Sequence, residues 1–251
     1  MLGKLMGWGR WSWAAFGKHP AARDYFQINL QRPLAQAFAQ WVEDGFTRIP
    51  ETTQRNGIYS WRFWSRGLKK NIMVCGLGKS SGDGVGRPYP MMLLGEGYLD
   101  RWEPHWNLLP VVLSSTWNKM EYTAARRMED IGNLEADLQR METPVPGWKS
   151  SLRMVSCDLS GREAEPIKKI IMSEIREKAR ILQTEQKLVV SLDTGNPGEP
   201  FQMAGAWHQA LKSHYSGTPN TVFMGGSPEK SFLVLFSRPL VTDDFVELWS
   251  L

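Results

Sequence analysis

Residues 74–90 read VCGLGKSSGDGVGRPYP. An apolar run from Val74 to Leu77 passes into a turn rich in glycine, serine and charge, and an extended apolar stretch resumes from Pro90 to Leu94. What this stretch is decides the fold. A phosphate loop or a nucleophile elbow would hand over to a helix, whereas a plain loop would join two strands.

Spacing tests each possibility. A phosphate-cradling loop needs G-x-x-x-x-G-K-[ST]; Gly78-Lys79-Ser80 supplies its end, but Met73 stands where the first glycine belongs. A dinucleotide fingerprint, G-x-G-x-x-G, fails twice, because Ser81 and Arg87 occupy the third glycine positions. Gly78-Lys79-Ser80-Ser81-Gly82 matches G-x-S-x-G literally, yet Ser81 to Pro88 holds no credible helical turn. The later histidines, His105, His208 and His214, fall on expected helices instead of a loop after a late strand. A serine-dependent hydrolase using this turn is therefore the runner-up reading. The leading one is a loop between strands that displays Lys79, Asp83 and Arg87, with Gly82, Gly84 and Gly86 free to take positive φ. Whether it is a binding surface or only a wide turn stays open at this point.

Outward from the loop, Ile58 to Trp64 and Asn71 to Gly76 read as a hairpin turning at Arg66-Gly67-Leu68. Trp11 to Phe16 reads as a first strand, followed by a helix with Pro33 in its first turn and Leu30, Leu34, Phe38, Trp41, Val42 and Phe46 on one face. Helical patterning resumes at Trp102, breaks at Pro110, and continues as one long amphipathic helix from about Ser115 to Met141. Thr143 to Gly147 is the best break in the chain and a candidate subdomain border. A helix from Pro166 carries Ile167, Ile170, Ile171, Ile175 and Leu182, with Glu165 to Lys169 and Glu174 to Lys178 spaced for pairing. Then come a strand at Lys187 to Leu192, a loop at Asp193 to Pro200, a helix at Phe201 to Tyr215, and strands at Thr221 to Met224 and Ser231 to Phe236. Thr242 or Asp243 caps a last helix near Trp249. The fold class is α/β or α+β: a central mixed, largely antiparallel sheet flanked by helices, in one domain over 1–251.

Composition narrows the function classes. Hydrophobic residues make up 42% and charged residues 22% of 251, enough for a sizeable core without a biased segment. The 12 tryptophans fill that core for the most part, with interface anchoring as their other use. The net charge of +4 comes from scattered lysines and arginines, not a basic stripe, so nucleic acid is not an expected partner. Cys75 and Cys157 lie far apart and suit reduced thiols. No run approaches the roughly 20 apolar residues of a membrane span. The opening MLGKLMGWGRWSW lacks the apolar block of a secretory signal, which makes the cytoplasm the expected location. Neither C-x-x-C nor H-E-x-x-H is present, and His208 and His214 point to different sides of a helix, so no metal or other cofactor is expected.

The order of signals resembles one family. Phe16-Gly17-Lys18-His19-Pro20, then Asp24-Tyr25-Phe26, a Trp-bearing helix, Trp61-Arg62-Phe63, and Ser81 to Pro90 are similar to the TagF (ImpM) family of type VI secretion accessory proteins. That family carries, in this order, G-K-x-P-x-x-G-D-F, W-R-F and P-S-x-D-x-V-G-R-x-[FY]-P elements. The likeness covers residues 12–110. Arg23 replaces a glycine, Tyr25 is extra, and Ser80 stands where the family has proline. The resemblance implies a longin-like sheet and a cytoplasmic, non-enzymatic, post-translational repressor of secretion with a forkhead-associated scaffold as one kind of partner. A structural subunit of the assembly is a further alternative. The partner-binding candidates are Lys18, Asp24, Trp61, Arg62, Asp83 and Arg87, with Asp83 and Arg87 alternatively pairing to brace their loop.

Overall fold

The structure is a computed structural model that describes residues 11–158, 165–193 and 200–251, with side chains described outside 155–168, 170 and 200. The expected 193–200 loop, the Glu165 to Lys169 pair, Trp8 and the side chains of Cys157, Ile167 and Ile170 fall outside what is described.

Eight strands make one sheet: β1 (Ser12–Gly17), β2 (Phe26–Ile28), β3 (Ser60–Arg66), β4 (Ile72–Lys79), β5 (Met91–Tyr98), β6 (Lys187–Ser191), β7 (Thr221–Gly226) and β8 (Ser231–Phe236). Their order is β2-β1-β5-β4-β3-β7-β8-β6. Expected to be largely antiparallel, the sheet is antiparallel at every pairing. Because β3 pairs with β7, strands from both sides of the Thr143 to Gly147 segment share the sheet.

Helices cover both faces. Those described are α1 (Pro33–Phe46), α2 (Glu51–Asn56), α3 (Leu109–Val112), α4 (Ser114–Ala125), α5 (Ile131–Gln139), α6 (Trp148–Asp158), α7 (Glu165–Glu185), α8 (Pro200–His214) and α9 (Thr242–Leu248), with a 3-10 turn at Glu103–Leu108. Side chains alternate between faces along a strand, so Trp61 and Phe63 of β3 join Phe38, Trp41 and Phe245 of α1 and α9 in one core. Trp64 enters the other core, with Trp102, Trp106, Trp117 and Trp207.

That alternation explains half of the opening stretch. Gly76 and Gly78 lie within β4, not in a ligand loop. A Cβ at Gly76 would run into the Phe63 ring, and one at Gly78 would lie 2.6 Å from the Met92 sulfur. On β5, Gly95 and Gly97 make the same room for the rings of Trp13 and Trp11. Large aromatics on neighbouring strands need a floor without side chains.

Two expectations are corrected. The single helix over Ser115 to Met141 is two helices, broken at Arg126, whose backbone is extended (φ −68°, ψ 133°). Asp130 restarts the chain as α5, its carboxylate accepting from the Gly132 and Asn133 amides at 2.7 and 3.3 Å. The last helix is capped by neither Thr242 nor Asp243. Val241 occupies the cap position, and Asp244 reaches back to accept the Val241 amide at 2.8 Å while paired to Arg238. Three elements, β2, α2 and α6, were not expected from the sequence; α2 has no buried residue to mark it.

Candidate functional site

Gly17, Met91, Lys79 and Ser60 align across β1, β5, β4 and β3, so the loops that leave β1 and β4 emerge side by side at one end of the sheet. Gly17 makes the first exit possible: its φ is +118°, and a Cβ there would collide with the Pro90 carbonyl. The second exit runs Ser80 to Pro90. A bridge between Gly82 and Pro88 closes it into a turn, with Gly86 at φ +83°.

Asp83 is the centre of this turn. Its side chain has no exposed surface. Oδ1 accepts the Val85 and Arg87 amides at 3.1 and 3.0 Å, and Oδ2 accepts Arg87 Nε at 2.7 Å. Lys18 Nζ, from the other loop, lies 3.1 Å from the same oxygen. Desolvation alone would raise this carboxyl's pKa, but the Arg87 amide, the Lys18 and Arg87 side chains and the Val85 amide hold it well below the usual range. It stays a carboxylate with its lone pairs engaged, which suits a brace and not a base.

Arg87 completes the link between loops. Its guanidinium donates to the Arg23 carbonyl at 3.0 Å and lies 3.3 Å from Asp24, while the Gly84 amide donates to the Ala22 carbonyl at 2.8 Å. The Tyr25 amide, Arg87 and Lys18 lower the Asp24 pKa. Thus Lys18, Asp24, Asp83 and Arg87, expected to share a surface, are brought together, and bracing is the role their contacts describe. Arg87 keeps a side chain that is 53% exposed.

Trp61 and Arg62 do not join them. Trp61 is 0% exposed, packed edge to face with Phe223 at 6.3 Å, because its place on β3 points it into the core under α1 and α9. It cannot supply contact surface, which corrects its inclusion. Arg62 points to the opposite face, where Nε and Nη2 meet both oxygens of Glu121 on α4 at 2.7 and 2.6 Å, and Nη2 also reaches Asn118 at 3.0 Å. Its guanidinium stacks 3.7 Å from the Phe201 ring of α8. This nearly buried fork ties the sheet to two helices and lines a cavity of about 260 Å³ with Tyr59, Met224 and Gly226.

The serine reading loses its geometry as well. Ser80 continues the β3–β4 pairing, donating its amide to the Tyr59 carbonyl at 2.8 Å, and its hydroxyl accepts the Tyr59 amide at 3.0 Å. No strand-to-helix elbow is formed there. Among the described residues no group of three or more His, Cys, Asp or Glu is arranged to hold a metal ion. No helix among them is long and apolar enough to cross a membrane.

Two contributors to the site were missed. His19 is buried and accepts the Ala21 amide through Nδ1 at 3.1 Å, its pKa lowered by desolvation and then by Lys79, so it shapes the first loop as a neutral ring. Tyr89 anchors the second loop to α1, donating to Glu43 at 2.6 Å, with Tyr25 edge-on at 5.4 Å. The His19-Pro20 pair in the sequence signals a turn, but only the fold shows what the ring accepts.

A family model of the TagF N-terminal domain, described as type VI secretion system-associated, matches residues 14–143. The fold is similar to the crystal structure at 2.05 Å resolution of PA0076 from Pseudomonas aeruginosa PAO1, with a TM-score of 0.54 and 13% identity over 95% of this chain and 94% of that one. At that identity the likeness speaks of fold alone. None of the curated proteins matches the sequence.

Proposed function

Since the chain belongs to the TagF family of type VI secretion-associated proteins, we propose that it is a non-enzymatic accessory protein that represses secretion after translation by binding a component of the apparatus in the cytoplasm. A forkhead-associated scaffold is one kind of partner the reading accommodates. The observation that carries it is the Asp83 clasp, which joins two loops from distant parts of the chain into one braced surface at the end of the sheet. Preorganised loops bind proteins at lower entropic cost than mobile ones. Their carboxylates and cations are engaged with each other and not aimed at a reacting atom.

Overproduction and deletion in a strain with an active type VI system test this reading. Killing of a co-cultured target strain should fall on overproduction and rise on deletion, with a secretion component captured by the tagged chain. Unchanged killing in both strains, or capture of no such component, overturns it.

A further inference from the structure

The clasp leaves one side chain without a role in it. Val85 sits at the tip of the Gly82–Pro88 turn and is 74% exposed. Its surroundings are fixed: its own amide and that of Arg87 donate to Asp83, and the Gly86 amide donates to the Asp83 carbonyl at 2.9 Å. On the adjoining loop Tyr25 is 37% exposed, and the Gly84–Ala22 backbone bond holds the two loops in register. An aliphatic group standing on a braced turn is already ordered, so burying it against a partner loses little entropy. Apolar anchors set in a polar rim are where binding energy concentrates at protein interfaces.

Charge narrows what the partner presents. Lys18 and Asp83 neutralise each other inside the clasp, with side chains 13% and 0% exposed, which leaves Arg23 and Arg87 as exposed cations of the two loops against exposed Asp24. The outward face is therefore basic. We propose that Val85 is the anchor of a protein-docking surface, seated in an apolar notch that acidic residues rim on the partner. This rests on the regulatory reading above and assigns the atoms that carry it. A bilayer is the competing class. It fits less well, because a single valine with one partly exposed tyrosine buries little apolar area in a bilayer.

The test uses the full chain carrying benzoylphenylalanine at position 85 or, separately, at position 172 on α7, where Met172 is 66% exposed. Cells holding the secretion system are irradiated and the crosslinked peptides sequenced. The proposal expects position 85 alone to label one secretion component, at an apolar segment flanked by Asp or Glu. It also expects Val85→Asp to weaken capture of that purified component at least tenfold with an unchanged melting temperature, and Val85→Ala to weaken it less. Equal labelling from both positions, capture changed less than twofold by Val85→Asp, or sedimentation of the chain with phosphatidylglycerol vesicles that Val85→Asp abolishes would each overturn it. If Val85→Asp leaves capture intact, the surface is wrong and the regulatory reading survives. If the unmodified chain captures no secretion component, both fail.

Discussion

Acid should destabilise this protein before its carboxylates titrate, chiefly through His208, with His19 and His105 shifted in the same direction. His208 of α8 is 0% exposed, flanked by Trp64 and Trp106 with ring centroids 6.3 and 5.7 Å away. Nδ1 lies 2.7 Å from the Ala204 carbonyl and must donate to it, which leaves Nε2 to accept the Trp64 indole N–H at 3.4 Å. Desolvation drives its pKa from 6.5 to about 4, against the Ala204 bond, which favours the charged ring. The unfolded chain therefore binds a proton that the folded chain refuses between those values, so stability rises with pH across that window and the loss is complete below the folded pKa. A gap of about 2.5 pH units at about 1.4 kcal/mol each sets a total of about 3.5 kcal/mol, of which about 2 kcal/mol develops between pH 7 and 5. Urea unfolding followed by tryptophan fluorescence at pH 5, 6 and 7 measures this, in the natural chain and in His208→Gln, where that part of the slope should vanish. Identical slopes in the two proteins, or a His208 ring proton titrating near its ordinary midpoint, would refute the reasoning.

Other expectations follow from the same contacts. Asp83→Asn and Arg87→Glu should each lower the melting temperature by several degrees in calorimetry, since both break the clasp; a melting temperature unchanged in both would leave the loops unbraced. Gly76→Ala should cost about 1–3 kcal/mol in denaturant unfolding, because the new methyl meets Phe63 and the Leu93 carbonyl with no room to yield; a neutral result would place the Phe63 ring elsewhere. Trp61→Ala should cost about 3–5 kcal/mol by the same assay, and partner capture by the fraction that remains folded should be unchanged, as befits a core residue.

Much of this fold is legible in the sequence because aromatic and β-branched residues mark β1, β3, β4, β7 and β8, and because no helix follows Ser80. The long helix was misread for a physical reason. Its interruption between Ala125 and Ile131 keeps the apolar positions Met120, Ala124, Leu134 and Leu138 in helical phase, and Asp130 with Gly132 was the local signal of a cap. The glycine-rich stretch imitates ligand loops because Gly76 makes room for the Phe63 ring and Gly78 for the Met92 side chain on neighbouring strands, which local spacing cannot show. The site was half legible. Lys18 and Asp83 are far apart in the chain and meet only because β1 and β4 both flank β5. Trp61 and Arg62 are neighbours in sequence and therefore opposite in space, a consequence of strand geometry that a shared motif obscured.

Amide hydrogen exchange of the natural chain and of Asp83→Asn reads the clasp most directly. The account predicts slow exchange at Gly84, Val85 and Arg87 that accelerates in the variant together with residues 20–25, while the β4 amides stay protected. Fast exchange at those three positions in the natural chain, or a first loop indifferent to the loss of the carboxylate, would contradict it.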